Sequence, residues 1–304
     1  VNYAQERNKK KGNLGLSLTK LYISSTNNPF ENLALEEWAL QNFNTQDSSL
    51  LILYVNEPCV VIGRNQNIFE EVNLRYCTDN QIEITRRISG GGTVFQDRGN
   101  LNWTHITPFD SKKVNSYEWA AKPIIDVLKG FNLDAYLTER NAIEVSGLKV
   151  SGQAQFTNRK NILSHGTLLI DSNLVKLQRA IEVIAGVEIQ SKASPSHRSQ
   201  TVNLSQLLNR PITPSMVIEA IRDKTKIESI DHLPAVLKVN KFKSYEWIYE
   251  RSPKFIAHHE IAGEKLLLQV EKATIKAIKD GKGHLLQDNP FLNQTYKKFL
   301  NHYS

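Results

Sequence analysis

The run Arg86-Arg87-Ile88-Ser89-Gly90-Gly91-Gly92-Thr93-Val94-Phe95 constrains this chain more than any other stretch. Three adjacent glycines lose more backbone freedom on ordering than other residues do, so a fold keeps them where the backbone must turn to positive φ or approach something closely. Amides exposed in such a loop cradle phosphate or carboxylate oxygens, and the guanidinium groups before it add bidentate positive charge. Thr93-Val94-Phe95 then favours a strand. The pattern predicts a site for an anionic, nucleotide-like ligand. The plainer reading is a glycine-rich hairpin with surface arginines.

The remaining 294 of the 304 residues must house that loop. Asn28-Pro29-Phe30-Glu31 reads as a helix start, with a capping Asn, Pro in the first turn and an acid behind it. Leu33, Leu35, Trp38, Ala39 and Leu40 give the following helix an apolar face. Leu50 to Val55, Cys59 to Gly63 and Gln81 to Thr85 read as strands, and Asp97-Arg98-Gly99-Asn100 as the turn of a hairpin from Thr93–Gln96 into Leu101 to Thr107. Helical spacing recurs over Tyr117 to Phe131, Leu174 to Ala185 and Pro214 to Asp223. Short strands fall at Asp134 to Leu137, Ala142 to Val145, Leu148 to Gly152 and His165 to Ile170. Beyond residue 250, strands at Phe255 to Ile261 and Leu266 to Val270 flank a turn at Ala262-Gly263-Glu264, Ala273 to Ala277 can pair with them, and a basic-aromatic helix covers Pro290 to Tyr303. Irregular alternation of this kind predicts an α+β fold with mixed sheets. The expected organisation is a polar extension over 1–18, a catalytic domain over 19–250 and a small C-terminal domain over 251–304.

Composition narrows the function classes. The chain is 40% hydrophobic and 23% charged, as ordinary globular proteins are. No apolar run reaches the ~18 residues of a membrane span. A net charge of +7 favours acidic partners. Nucleic acid is not expected, because no stripe of basic and aromatic residues marks one face. The first residue is Val; a removed presequence would explain it and suggests a mitochondrial matrix protein, the alternative being a cytoplasmic one. The two cysteines, Cys59 and Cys77, have no metal spacing and no activating neighbour, so both read as buried thiols. No metal ligand set is assignable.

Two further groups can carry chemistry. In Gly147-Leu148-Lys149-Val150-Ser151-Gly152, alternation puts Lys149 on the sheet face opposite Leu148 and Val150, where it is either a solvated lysine or a cation aimed at phosphate or carboxylate. In Ser164-His165-Gly166-Thr167 the adjacent Ser and His point to different faces and form no dyad. His165 therefore reads as structural, and His258-His259 as a surface or turn feature.

Taken in order, these motifs resemble the lipoate–protein ligase A and lipoyltransferase family, within the biotin and lipoate protein ligase superfamily. The glycine loop continued through Gln96-Asp97-Arg98-Gly99-Asn100-Leu101-Asn102 is similar to the family's signature. Asn32-Leu33-Ala34-Leu35-Glu36-Glu37, Val61-Ile62-Gly63-Arg64-Asn65-Gln66-Asn67, Lys149-Val150-Ser151-Gly152-Gln153-Ala154 and His165-Gly166-Thr167-Leu168-Leu169 resemble further family segments. Glu246-Trp247-Ile248-Tyr249 with Pro253-Lys254-Phe255 resembles eukaryotic members. The resemblance implies a mixed-sheet catalytic domain flanked by helices. It implies an enzyme that joins a lipoyl or octanoyl group to one lysine of a lipoyl domain, in 2-oxoacid dehydrogenase E2 subunits or glycine-cleavage H protein. ATP, Mg²⁺ and lipoate or octanoate would give an acyl-adenylate, which the target lysine attacks. By the same resemblance Arg87, Gly92, Thr93, Val94 and Phe95 would hold the adenylate, and Lys149 would serve both binding and catalysis. Arg86, Gly90, Gly91, Asn141, His165 and Gly166 are further pocket candidates.

The chain departs from the family pattern at three points. Ala142 stands where most members have aspartate, Gln96 where a histidine is usual, and Ser164 where a His-His pair begins. Alanine offers no metal or phosphate ligand. That points to a transfer-only alternative fed by acyl-AMP, acyl-CoA or a lipoylated protein. A non-catalytic acyl- or nucleotide-binding module is the rival from another class, and the retained Lys149 speaks against it.

Overall fold

The computed structural model describes residues 18–182, 187–197, 199–224, 227–233 and 236–303. The expected extension over 1–18 lies almost wholly outside them, as does the end of the helix expected up to Ala185; within them that helix spans Leu174–Ala180.

Among the described residues three sheets build the fold, and it is α+β as expected. The largest has eight strands. Its order is Ile227–Ser229, Leu18–Ile23, Ser48–Tyr54, Asn100–Pro108, Asn161–Leu169, Leu148–Thr157, Ala142–Val145 and Ala135–Leu137. The Leu18–Ile23 strand pairs in parallel with both neighbours and the rest run antiparallel, so the sheet is mixed. A three-stranded sheet has Cys59–Ile62 between Glu83–Arg86 and Val94–Gln96. The third sheet joins Glu188–Ser191 to Phe255–Ile261, Glu264–Glu271 and Thr274–Asp280.

The expected hairpin at Asp97–Asn100 does not form: the strand before it belongs to the small sheet and the strand after it to the large one. A tight turn is present, with Asn100 N–H donating to the Asp97 carbonyl and Gly99 N–H to Asp97 Oδ1. A side chain at Gly99 would collide with the backbone of Asp171, so the turn is packed against another segment and sends the chain from one sheet to the other. Leu50–Val55 and Cys59–Gly63 part in the same way.

Each face of the large sheet has its own core. The helix Pro29–Asn42 starts where its signals place it, with the Asn28 side chain accepting from the amides of Phe30 and Glu31. It packs Leu33, Ala34, Leu40 and neighbours on Leu50, Ile52, Ile106 and Leu163. The helix Glu118–Gly130 covers the opposite face, over Leu51, Leu53, Leu101 and Trp103. A third core unites Val60, Ile62, Phe69 and Phe95 with Phe255, Leu268, Ile278, Tyr296 and Phe299. The C-terminal strands thus share apolar interior with the glycine-loop sheet. His259 is buried in the Phe255–Ile261 strand and bonds the Tyr296 hydroxyl at 2.6 Å, so it is no turn or surface feature. The last helix, Tyr296–Tyr303, is shorter than its basic-aromatic pattern suggests; Asn289 and Asn293 shape turns ahead of it.

Candidate functional site

The glycine loop closes one side of a cavity of about 470 Å³, well within the range of small-ligand sites. The floor is the large sheet. Tyr54, Asn102 and Thr167 stand in register across three strands. Gly152 donates its N–H to Thr167 Oγ1 and pairs with Ala142 on the next strand. All five line the cavity, as do His165 and Ala154 from the adjacent row. Small side chains at Ala142, Gly152 and Ala154 leave the room that larger ones elsewhere in the sheet fill.

Lys149 reaches this space through a bulge. The register shifts between Ile143 and Glu144, so Glu144 faces Lys149, Ala142 faces Gly152, and Val150 is the extra residue. Lys149 and Gly152 therefore share the cavity face although they are three positions apart, an odd spacing that plain alternation would put on opposite faces. Leu148 and Val150 pack in the core opposite, as alternation requires. The Lys149 ammonium lies 3.3 Å from where a Gly152 side chain would begin. Burial pulls its pKa below the usual lysine range, and Glu144 partly opposes this. Among the described residues no carboxylate forms an ion pair with it.

The two arginines do different work. Arg86 is fully buried and does not line the cavity. Its guanidinium donates to the carbonyls of Gly63, Arg64, Gln66, Trp247 and Ile248 and to Ser252 Oγ. The expectation of a pocket residue at position 86 is thereby corrected: every donor is spent joining the loop after Ile62 to the segment 247–252. Arg87 does border the cavity, and it ties the glycine loop from inside. It donates to the carbonyls of Val61, Gly90 and Gly92 and to Ser89 Oγ. Burial lowers both arginines to about 10, which leaves them charged at neutral pH.

Pulling the Gly90 and Gly92 carbonyls onto Arg87 frees the other edge of the loop. The amides of Gly90, Gly91 and Gly92 have no hydrogen-bond partner among the described residues, and all three residues line the cavity. Gly91 has φ +86°, and its carbonyl lies so close to Gly63 that a side chain there would collide with it. Thr93 and Val94 also line the cavity. Phe95 points the other way, into the core shared with the C-terminal strands.

A buried hydrogen-bond chain supports the loop from behind. Ser89 Oγ is 2.7 Å from His165 Nε2, and His165 Nδ1 is 3.0 Å from both oxygens of Glu36. Tyr54 and Thr104 hydroxyls also donate to Glu36. His165 and its neighbours hold the Glu36 carboxyl below the usual carboxylate range against the opposing effect of its burial. The order Ser–His–acid matches that of a hydrolytic triad, yet Ser89 Oγ is buried and accepts from Arg87 Nε, so it orients the loop and offers no nucleophile. Ser164 turns away to Gln155, as expected of the adjacent pair. No carboxylate partner for His165 is visible in the sequence, because Glu36 is 129 residues away.

Ser194, Pro195, Ser196, His197 and Ser199 add a further wall to the cavity. Ser196 Oγ accepts from Thr93 N–H at 2.9 Å and from Gln66 Nε2 at 3.0 Å and donates to Glu71, which also accepts from Ser196 N–H. Neither Gln66 nor Glu71 is marked by its sequence neighbourhood as a loop anchor. Asn141, in the left-handed region at φ 59°, and Gly166 complete the expected set at the cavity. A side chain at Gly166 would press within 2.8 Å of the Trp103 ring. Cys59 and Cys77 are buried free thiols, both pushed up by burial, Cys77 to about 12.

A cavity with free loop amides on one wall and a lysine on another suits an anhydride between a carboxylic acid and a phosphate. Comparison with known proteins agrees. The family model described as lipoyl protein ligase A/B catalytic domain matches residues 28–226. Lipoate--protein ligase 1 of Staphylococcus aureus is 34% identical over 262 residues, covering 82% of this chain and 79% of the relative. The crystal structure of P. falciparum LipL1 in complex with lipoate superposes with a TM-score of 0.62 at 27% identity, covering 86% of this chain and 84% of the other. A lipoate-protein ligase A solved with ATP bound shares the fold at a TM-score of 0.60 and 23% identity, covering 72% and 90% of the two chains.

Proposed function

This chain belongs to the lipoyl protein ligase A/B family, and from that membership we propose how its cavity works. The protein is an enzyme of protein lipoylation, attaching a lipoyl group through acyl-adenylate chemistry. The acyl-adenylate lies with its phosphate on the amides of Gly90 to Gly92 and its carbonyl beside Lys149. The acyl chain extends along the sheet floor between Leu33, Tyr54, Val61 and Val94, which give that end of the cavity its apolar lining. Each buried methylene contributes about 0.8 kcal/mol, so chain length can be sensed there.

In the transfer step the acceptor lysine amine attacks the acyl carbonyl carbon. A C–N bond forms, the C–O bond to phosphate breaks, AMP leaves, and the amine gives up a proton. Negative charge builds first on the carbonyl oxygen and then on the departing phosphate. Lys149 can meet both, and a fixed cation in a partly desolvated site is worth more than one in water. The free glycine amides carrying no internal partner are the observation on which this reading rests.

For the adenylation step, ATP would bring Mg²⁺ to neutralise the triphosphate. Glu144 is the one carboxylate among the described residues lining the cavity, and a single protein carboxylate with phosphate oxygens is an ordinary Mg²⁺ environment. Ala142, buried at the cavity floor, adds no ligand, and this favours the second reading: transfer from an acyl group already activated. Lipoyl domains are the acceptors. H protein as a second acceptor and a mitochondrial site of action belong to the proposal. One chain tests both readings. Free lipoate with ATP, lipoyl-AMP, octanoyl-CoA and lipoylated H protein are each offered with one lipoyl domain, and the product is weighed. Transfer from lipoyl-AMP is expected in either case. Pyrophosphate release with free lipoate and ATP would remove the transfer-only reading, and failure with every donor would remove both.

A further inference from the structure

The inner wall of the cavity carries amide donors that an all-hydrocarbon chain cannot use. Asn102 is 1% exposed and lines the cavity, and its Nδ2 has no hydrogen-bond partner. Its Oδ1 already accepts from Asn100 Nδ2 at 2.9 Å. Gln96, also buried, lines the same wall. Its Oε1 is taken by Asn56 Nδ2 at 2.7 Å and Cys59 Sγ at 3.8 Å, which leaves its own Nε2 as the remaining donor. An unpartnered buried N–H costs free energy that a ligand acceptor can recover.

The position of Asn102 limits what that acceptor can be. Lys149 marks the carbonyl end of the ligand, over the strand of Gly152. Asn102 is two strands further along the floor, about 10 Å at the usual spacing of ~4.8 Å per strand. An extended chain of six to eight carbons spans about 6–9 Å at ~1.25 Å per C–C step. The group reaching Asn102 is therefore the far end of an eight-carbon acyl chain. In a lipoyl group that end is the dithiolane, whose sulfurs are weak acceptors; in an octanoyl group it is bare methylene and methyl.

Resting on the lipoylation reading above, we infer that Asn102, seconded by Gln96, is a specificity-determining residue that selects lipoyl over octanoyl by donating N–H to dithiolane sulfur. Octanoyl leaves the donor stranded, and a site built around a donor rejects a ligand lacking the acceptor more strongly than apolar contact alone does.

The experiment compares kcat/KM for lipoyl-AMP and octanoyl-AMP on one lipoyl domain. N–H to sulfur lies at the weak end of hydrogen bonding, so the wild type is expected to favour lipoyl-AMP by about five- to tenfold. Asn102→Leu keeps the volume and removes the donor, and the ratio should fall to about one. A ligand-side series needs no variant: octanoyl-AMP with one methylene near the chain end replaced by a thioether sulfur should regain part of the preference in the wild type. An unchanged ratio in Asn102→Leu, or thioether analogues no better than octanoyl-AMP, overturns the inference. Should the variant not fold, the analogue series decides. Transfer of neither acyl group by the wild type is a different failure, that of the lipoylation reading itself.

Discussion

Arg86 and Arg87 are neighbours of one residue type, and the fold gives them separate tasks. Arg86 spends its planar fork on backbone carbonyls from two distant segments, and Arg87 spends its own on the glycine loop. Composition and spacing could place cations beside the glycines but could not tell which oxygens they meet. A lysine has three donors and no fork, so Arg86→Lys should strand several carbonyls and cost about 3 kcal/mol of unfolding free energy by urea titration. A loss under ~0.5 kcal/mol would mean that water replaces these bonds. Lys149 was legible as a candidate because its flanking glycines and apolar neighbours fix the face it takes. Glu36, Gln66 and Glu71 were not, because their partners His165, Thr93 and Ser196 come from remote parts of the chain.

At the scale of elements, local signals located most strands and helices, and pairing decided what they became. The Asn28 cap fixes the first helix because its chemistry is contained within four residues. The turn at Asp97–Asn100 is equally clear locally, yet it joins two sheets, because a two-stranded ribbon and a sheet-to-sheet crossing share the same turn residues. The bulge opposite Glu144 leaves no sequence mark at all, although it delivers Lys149 to the cavity. Gly63 shows how one element depends on another: its missing side chain is what lets the Gly91 carbonyl pack against the Ile62 strand end. Gly63→Ala should push the glycine loop outward and lower the affinity for a non-hydrolysable acyl-AMP analogue by tenfold or more, as calorimetry would show, since displacement of a ligand-binding loop costs about 1–3 kcal/mol. Unaltered affinity would mean that the loop's conformation is not what binds the adenylate.

The whole molecule is held by cores that cross the expected boundary near residue 250. Phe95 is the central residue of the glycine-loop strand Val94–Gln96 and packs in the same cluster as Phe255, Tyr296 and Phe299. Two imidazoles, His259 buried and His105 half-buried, make the fold acid-sensitive. His105 is lowered to about 4 by burial and then by Lys113, and His259 to about 4 by burial and then by His258. Both fall below the unfolded value of ~6.5, so the unfolded chain binds more protons between the two limits. Stability should be intact above pH ~6.5 and decline as pH falls toward 4, and His259→Gln should flatten part of that decline. Melting temperatures recorded across this window check it, and a flat profile would show that neither histidine is buried in solution. No helix among the described residues is long and apolar enough to cross a membrane.

In the proposed function, the glycine loop and Lys149 together present an acyl-adenylate to a lysine of another protein. Supplying synthetic lipoyl-AMP and a lipoyl domain to the wild type and to Lys149→Ala tests it most directly, with the acceptor followed by intact mass and the variant's melting temperature measured alongside. The wild type should form the lipoyl amide, and Lys149→Ala should do so at least ~100-fold more slowly at an unchanged melting temperature. Equal rates from the two proteins would contradict the claim.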